Sequence, residues 1–81
     1  MSYRKIPVEV VVKFSAEGGM RPLYLVWQDG RKFYVDRVKY CERAPAHVSA
    51  VLPVRYTCMI GGKEKQIFYE RESESWFVEI R

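Results

Sequence analysis

Pro22-Leu23-Tyr24-Leu25-Val26-Trp27-Gln28-Asp29-Gly30-Arg31-Lys32-Phe33-Tyr34-Val35 is the stretch on which the fold turns. Leu23, Leu25 and Trp27 alternate with Tyr24, Val26 and Gln28, the period of an extended chain whose successive side chains leave on opposite faces. Residues 22–28 are therefore expected as a strand with apolar groups on both faces. Asp29-Gly30 then predicts a two-residue type I′ turn, which needs positive φ at both positions, and so a hairpin with the strand that begins at Arg31. That second strand runs through Phe33 and Val35 to Tyr40. Its apolar parity slips at Val38 and Tyr40, and a bulge near Asp36 and Arg37 would restore both to the face of Phe33 and Val35.

The same period extends in both directions. Upstream, Ile6, Val8, Val10, Val12 and Phe14 alternate with Pro7, Glu9, Val11 and Lys13, and Gly18-Gly19 ends the run. Pro7 lacks an N–H, so its end of the strand should lie at an edge or ahead of the first pairing. Downstream, residues 41–53 hold two prolines and little alternation and are read as a long loop with room for one helical turn. Residues 54–60 place Val54, Tyr56, Cys58 and Ile60 inward and Arg55, Thr57 and Met59 outward. Gly61-Gly62 supplies a second tight turn into a strand through Gln66, Ile67, Phe68 and Tyr69. After the polar tract 70–75, a last strand puts Trp76, Val78 and Ile80 inward and Phe77, Glu79 and Arg81 outward.

Six strands joined mostly by short reversals exclude a parallel sheet, whose crossovers need a dozen or more residues. The expected fold is all-β: one small antiparallel six-stranded sheet, strongly bent or closed into a partly open barrel, with the loop after Tyr40 covering part of its outer face. With 81 residues the chain is a single domain, because two halves would each be too small to bury a core. Size scaling gives a folded surface of about 5,100 Å².

Composition narrows the function classes. A hydrophobic content of 48% without a long apolar run excludes disorder and a helical membrane span, and no secretion signal is legible near the start, so the cytosol is the expected compartment. Cys41 and Cys58 are read as free thiols, and with His47 the only histidine no metal site or cofactor is expected. His47, Ser49 and Asp36 form no convincing catalytic set, since no nucleophile-elbow pattern surrounds the serine. No catalytic residue is assigned, and a non-enzymatic binding module is expected.

The net charge of +4 is concentrated in residues 20–60. Arg31, Tyr34, Arg37 and Arg55 are the candidate contacts for single-stranded nucleic acid, guanidinium groups holding phosphates while aromatic faces stack bases. The competing reading makes Trp27 and Tyr56 core residues and the arginines a solvated rim. A second function class uses the outward Val11, Tyr24, Val26, Met59, Phe68 and Phe77 as a surface for a protein partner or for a second copy of the chain as a homodimer.

The segments Trp27-Gln28-Asp29-Gly30-Arg31-Lys32-Phe33-Tyr34-Val35, Arg55-Tyr56-Thr57 and Ser75-Trp76-Phe77-Val78 resemble a group of small uncharacterised bacterial domains. These share a tryptophan, a Gly-Arg turn, a tyrosine-containing strand, an Arg-Tyr strand and a closing Trp-Phe pair. Some members are encoded near error-prone DNA polymerase genes. The resemblance implies a family without assigned activity and a link to nucleic acid through gene neighbourhood alone, and it names no catalytic residue.

Overall fold

The computed structural model describes residues 2–49 and 51–81. It is all-β, with β1 (Arg4–Phe14), β2 (Met20–Val26), β3 (Lys32–Tyr34), β4 (Arg37–Arg43), β5 (Val54–Ile60), β6 (Lys63–Glu70) and β7 (Ser75–Ile80). They form one antiparallel sheet in the order β3-β2-β1-β7-β6-β5-β4, curled into a half-barrel. β1 is long enough to serve both halves. Its start pairs with β7 from Arg4↔Ile80 to Val8↔Trp76, and its end pairs with β2 from Glu9↔Val26 to Phe14↔Met20. Pro7 pairs with Phe77, on the stretch of β1 that β2 does not reach, so its missing N–H interrupts no ladder.

The seventh strand arises where the expected third strand breaks. β3 ends at Tyr34, and Val35 and Asp36 turn the chain across to the opposite edge of the sheet, where Val35 N–H donates to Leu23 C=O at 2.9 Å and Asp36 N–H donates to Met59 C=O at 2.8 Å. The phase correction lies further on than expected, as a register shift between Val38 and Tyr40. It leaves Val38 packed on the core and Tyr40 exposed, so only one of the two apolar groups is recovered. β4 continues to Arg43, so the loop is shorter than expected, and no helical turn occurs among its described residues.

The hairpin at Asp29-Gly30 forms, but not through a two-residue turn. Gly30 N–H donates to Trp27 C=O at 2.9 Å, Trp27 N–H donates to Arg31 C=O at 2.8 Å, and only Gly30 has positive φ, at 89°. This is a three-residue loop, a type I turn followed by a left-handed glycine, and it moves the register by one residue so that Tyr24 faces Tyr34. Gly61-Gly62 is a two-residue turn as expected, with φ of 59° and 78°.

The concave face buries Leu25, Val35, Tyr56, Cys58, Ile67 and Trp76, with Val8, Val10, Val12, Val54, Ile60 and Val78 packed around them. Tyr56 and Trp76 are thus core residues, and Trp27 packs against the same cluster. The convex face carries a second core. Phe68 and Phe77 stack at 5.1 Å between ring centroids, and both are buried together with Thr57, Ala44 and Pro53. Phe68 and Phe77 do leave the sheet on its outer side, but both are buried there, which corrects their place in an exposed interaction surface. The described residues of the 44–53 loop are tied across this face: Ala44 N–H donates to Pro53 C=O at 3.2 Å, Val48 N–H donates to Glu79 Oε2 at 3.0 Å, and Ser49 Oγ donates to Glu70 Oε2 at 2.7 Å. Each buried phenylalanine contributes about 1.5–3 kcal/mol by leaving water, so the loop completes the outer core as well as linking strands. The accessible surface is 5668 Å², above the size-scaling value, as an open half-barrel requires.

Candidate nucleic-acid interface

The outer face of the β1–β2–β3 arm is built by register. Val11 faces Tyr24 and Tyr24 faces Tyr34, so three residues from three strands form one row. Tyr24 and Tyr34 are a non-hydrogen-bonded pair, the closer of the two antiparallel geometries, because the flanking Leu25 and Leu23 carry the ladder bonds. Their rings accordingly meet at 5.0 Å between centroids, tilted by 45°. Tyr34 remains 59% exposed and Val11 40%.

Cations frame this row. Lys32 lies opposite Val26 with its Nζ 5.3 Å from the Tyr24 ring, and Lys13 faces Arg21 beyond the other end. Strand alternation puts Glu9 on the same face, so three cations stand against one carboxylate around two aromatic rings. Tyr34 is the member of the expected nucleic-acid set found here. Val11, Tyr24 and Val26, nominated for a protein partner, lie on this same face, whereas Met59 is on β5 opposite Arg37.

The three arginines sit elsewhere. Arg31 closes the β2–β3 turn, with its Nε 2.6 Å from Asp29 Oδ2 and its guanidinium 5.5 Å from the Phe33 ring. Arg37 and Arg55 share the outer side of β4 and β5, but four residues of β5 separate Arg55 from Met59, the partner of Arg37, a run of about 13 Å. Arg55 is bound to Glu42 at 2.8 Å, and its buried Nε has no hydrogen-bond partner among the described residues. Lys13, Arg21 and Lys32 take their place beside the tyrosines. Alternation could have found Lys13 and Lys32, which lie two residues from Val11 and Tyr34 on their own strands, but not Arg21, which is three from Tyr24 and reaches this face only through the register shift between Val11 and Val12.

The concave side also opens toward a gap in the sheet. A cavity of about 690 Å³ lies where β6 and β7 part, reached by Trp27, Arg31 and Phe33 from the β2–β3 hairpin and by Lys65 from β6. At its rim the His47 ring stacks on Tyr3 at 3.9 Å, and the Arg81 guanidinium lies 5.4 Å from Tyr3.

Side chains with reactive chemistry are held by other partners. His47 stacks on Tyr3 while Ser49 bonds to Glu70, so the serine and the histidine share no hydrogen bond. Cys41 is exposed and Cys58 fully buried; burial, and then the Cys41 thiol, pushes the Cys58 thiol up to about 11. Burial likewise raises the Tyr56 hydroxyl, with the Cys41 thiol adding to it. Among the described residues no three His, Cys, Asp or Glu side chains gather to hold a metal, and no helix is long and apolar enough to cross a membrane.

Comparison with protein-family models, with curated proteins and with solved structures finds no match to this chain.

Proposed function

We propose that the chain is a non-enzymatic binding module that holds single-stranded nucleic acid on the outer face of the β1–β2–β3 arm. The observation that supports this is the exposed Tyr34 ring braced by Tyr24, with Lys32, Lys13 and Arg21 around it. Tyrosine faces stack bases without regard to sequence, and ammonium and guanidinium groups follow the phosphates. With three cations on the face, few phosphates are contacted, so affinity is micromolar or weaker at low salt and falls steeply with added salt. The resemblance of residues 27–35, 55–57 and 75–78 to a group of small bacterial domains, some of them encoded near error-prone DNA polymerase genes, points the same way.

The test is a fluorescence-anisotropy titration of labelled single-stranded DNA and RNA at low and physiological salt. Tyr34→Ala is expected to weaken binding about tenfold, the loss of one stacking contact. The combined Lys13→Ala, Arg21→Ala and Lys32→Ala variant should lower both the affinity and its salt slope. The combined Arg31→Ala, Arg37→Ala and Arg55→Ala variant acts only through the overall field and should lose less. Absence of binding at low salt up to about 100 micromolar protein ends this reading.

The exposed Val11 beside Tyr24, Tyr34 and Val26 also suits a protein partner or a second copy of the chain. A mass that rises with concentration in sedimentation, and that Tyr34→Ala returns to the monomer value, would favour this second reading.

A further inference from the structure

The β6–β7 hairpin stays paired only from Glu70↔Ser75 to Phe68↔Phe77. Beyond that point β6 runs back to Lys63 paired with β5 alone, and β7 runs on to Ile80 paired with β1 alone. The cavity fills the opening, with Glu64, Gln66 and Phe68 on one wall and Val78, Glu79 and Ile80 on the other.

Strand alternation decides which main-chain groups face this gap. The two-residue Gly61-Gly62 turn makes Ile60↔Lys63 a hydrogen-bonded pair, so Lys63, Lys65 and Ile67 direct their N–H and C=O groups to β5. Glu64, Gln66 and Phe68 direct theirs the opposite way. On β7 the same rule turns Val78 and Ile80 toward β1 and turns Phe77 and Glu79 toward β6. Phe68 and Phe77 satisfy one another, whereas Glu64, Gln66 and Glu79 have no ladder partner on that side among the described residues. Two open strand edges thus confront each other inside the sheet, across a cavity.

We propose that the β6–β7 cleft receives the end of an extended peptide, which adds as a short strand bonded to the main chain of Gln66 and Glu79. Main-chain pairing selects an extended chain, and Leu25, Trp27, Phe33 and Ile67 on the cavity wall take its alternate apolar side chains. A chain end enters, because the Phe68–Phe77 pair closes the inner end of the cleft. Charge sets the partner's class. Arg31 and Lys65 are balanced by Glu64 and Glu79 around the cavity, so the cleft does not attract a polyanion, unlike the basic arm face. This site is independent of the nucleic-acid reading and survives its failure.

The probe is a fluorescein-labelled Val-Thr-Val-Thr-Val peptide, prepared with the label at either end so that each terminus in turn is left to enter. Its control is the same sequence N-methylated at alternate amides, which keeps the side chains and removes main-chain donors. One of the labelled peptides is expected to bind, and the N-methylated form at least about tenfold more weakly. In hydrogen exchange followed by NMR, the Gln66 and Glu79 amides should exchange quickly in the protein alone and become protected in the complex. Gln66→Pro removes an N–H that has no ladder partner among the described residues and should abolish binding in a folded protein; if it unfolds, the N-methylated pair still decides.

Peptide binding should be unchanged in Tyr34→Ala, which separates this site from the arm face. No binding by either peptide up to about 1 mM overturns the proposal. Equal binding of the N-methylated form would reduce the cleft to an apolar pocket. Protection of the same amides by a single-stranded oligonucleotide, and not by peptide, would assign it to nucleic acid instead.

Discussion

Trp76 and Phe77 are consecutive on β7 and both buried, at 8% and 1% exposure, yet they serve opposite faces of the sheet. Trp76 lies against Tyr56 at 5.1 Å and Tyr69 at 4.9 Å in the concave core, whereas Phe77 stacks on Phe68 beneath the 44–53 loop. β7 is therefore held from both sides.

Either truncation should be costly. Trp76→Ala and Phe77→Ala are each expected to lose about 3–5 kcal/mol in urea unfolding, the range for emptying a buried aromatic site. The Phe77 variant should in addition raise proteolytic cleavage within residues 44–53, because the loop loses the surface it covers. A cost below about 1 kcal/mol for Phe77→Ala would mean that the convex core is not a core.

The turns should respond in opposite directions. Gly30 has φ of 89° and nothing within 4 Å of an added Cβ, so Gly30→Val is strained by the backbone alone and should destabilise by about 1–2 kcal/mol or more. Glu74 holds φ of 52° without being glycine. Relief of about 1–2 kcal/mol of left-handed strain exceeds the roughly 0.5–1 kcal/mol entropic cost of a glycine, so Glu74→Gly should gain a few tenths to about 1 kcal/mol. Midpoints from denaturant curves with unchanged slopes check both, and a clear loss for Glu74→Gly would contradict the strain.

Acid should loosen the convex face. The Ser49 hydroxyl, and then the Lys5 ammonium at 2.9 Å, hold the Glu70 carboxyl below its ordinary value of 4.5. A lowered folded-state pKa means that the unfolded chain takes up the proton first. The stabilisation is present above the ordinary value and disappears as pH falls through the folded one. Melting temperatures from pH 7 to pH 3 should therefore drop less steeply in Glu70→Gln than in the parent. Parallel curves would show that Glu70 contributes nothing to the acid limb.

Much of the concave architecture could be read from period-two patterning, because residues 54–60 alternate cleanly and Gly61-Gly62 readily takes the positive φ of a two-residue turn. On the convex side a covering loop was expected, but not that Phe68 and Phe77 are buried beneath it. Alternation says that Phe68 and Phe77 leave the sheet on the side away from Ile67 and Trp76, but whether that side is wet depends on the 44–53 loop, whose sequence carries no period. Asp29-Gly30 fits both a two-residue turn and a three-residue loop ending in a left-handed glycine, and the two differ by one step of register. The basic residues of the candidate site were legible in number but not in placement, since the bend at Val35 and Asp36 separates Tyr34 from Arg37.

That bend makes the connectivity a ring. β3 and β4 are the two edges of the sheet yet are joined by only Val35 and Asp36, and every hydrogen-bonded neighbour is consecutive in the chain except β1 with β7. Hairpins can zip locally, but residues 4–8 reach residues 76–80 only by closing a segment of about 70 residues. Contact order thus concentrates in the single seam where the first strand meets the last, and that long-range encounter is expected to set the rate at which the native sheet assembles.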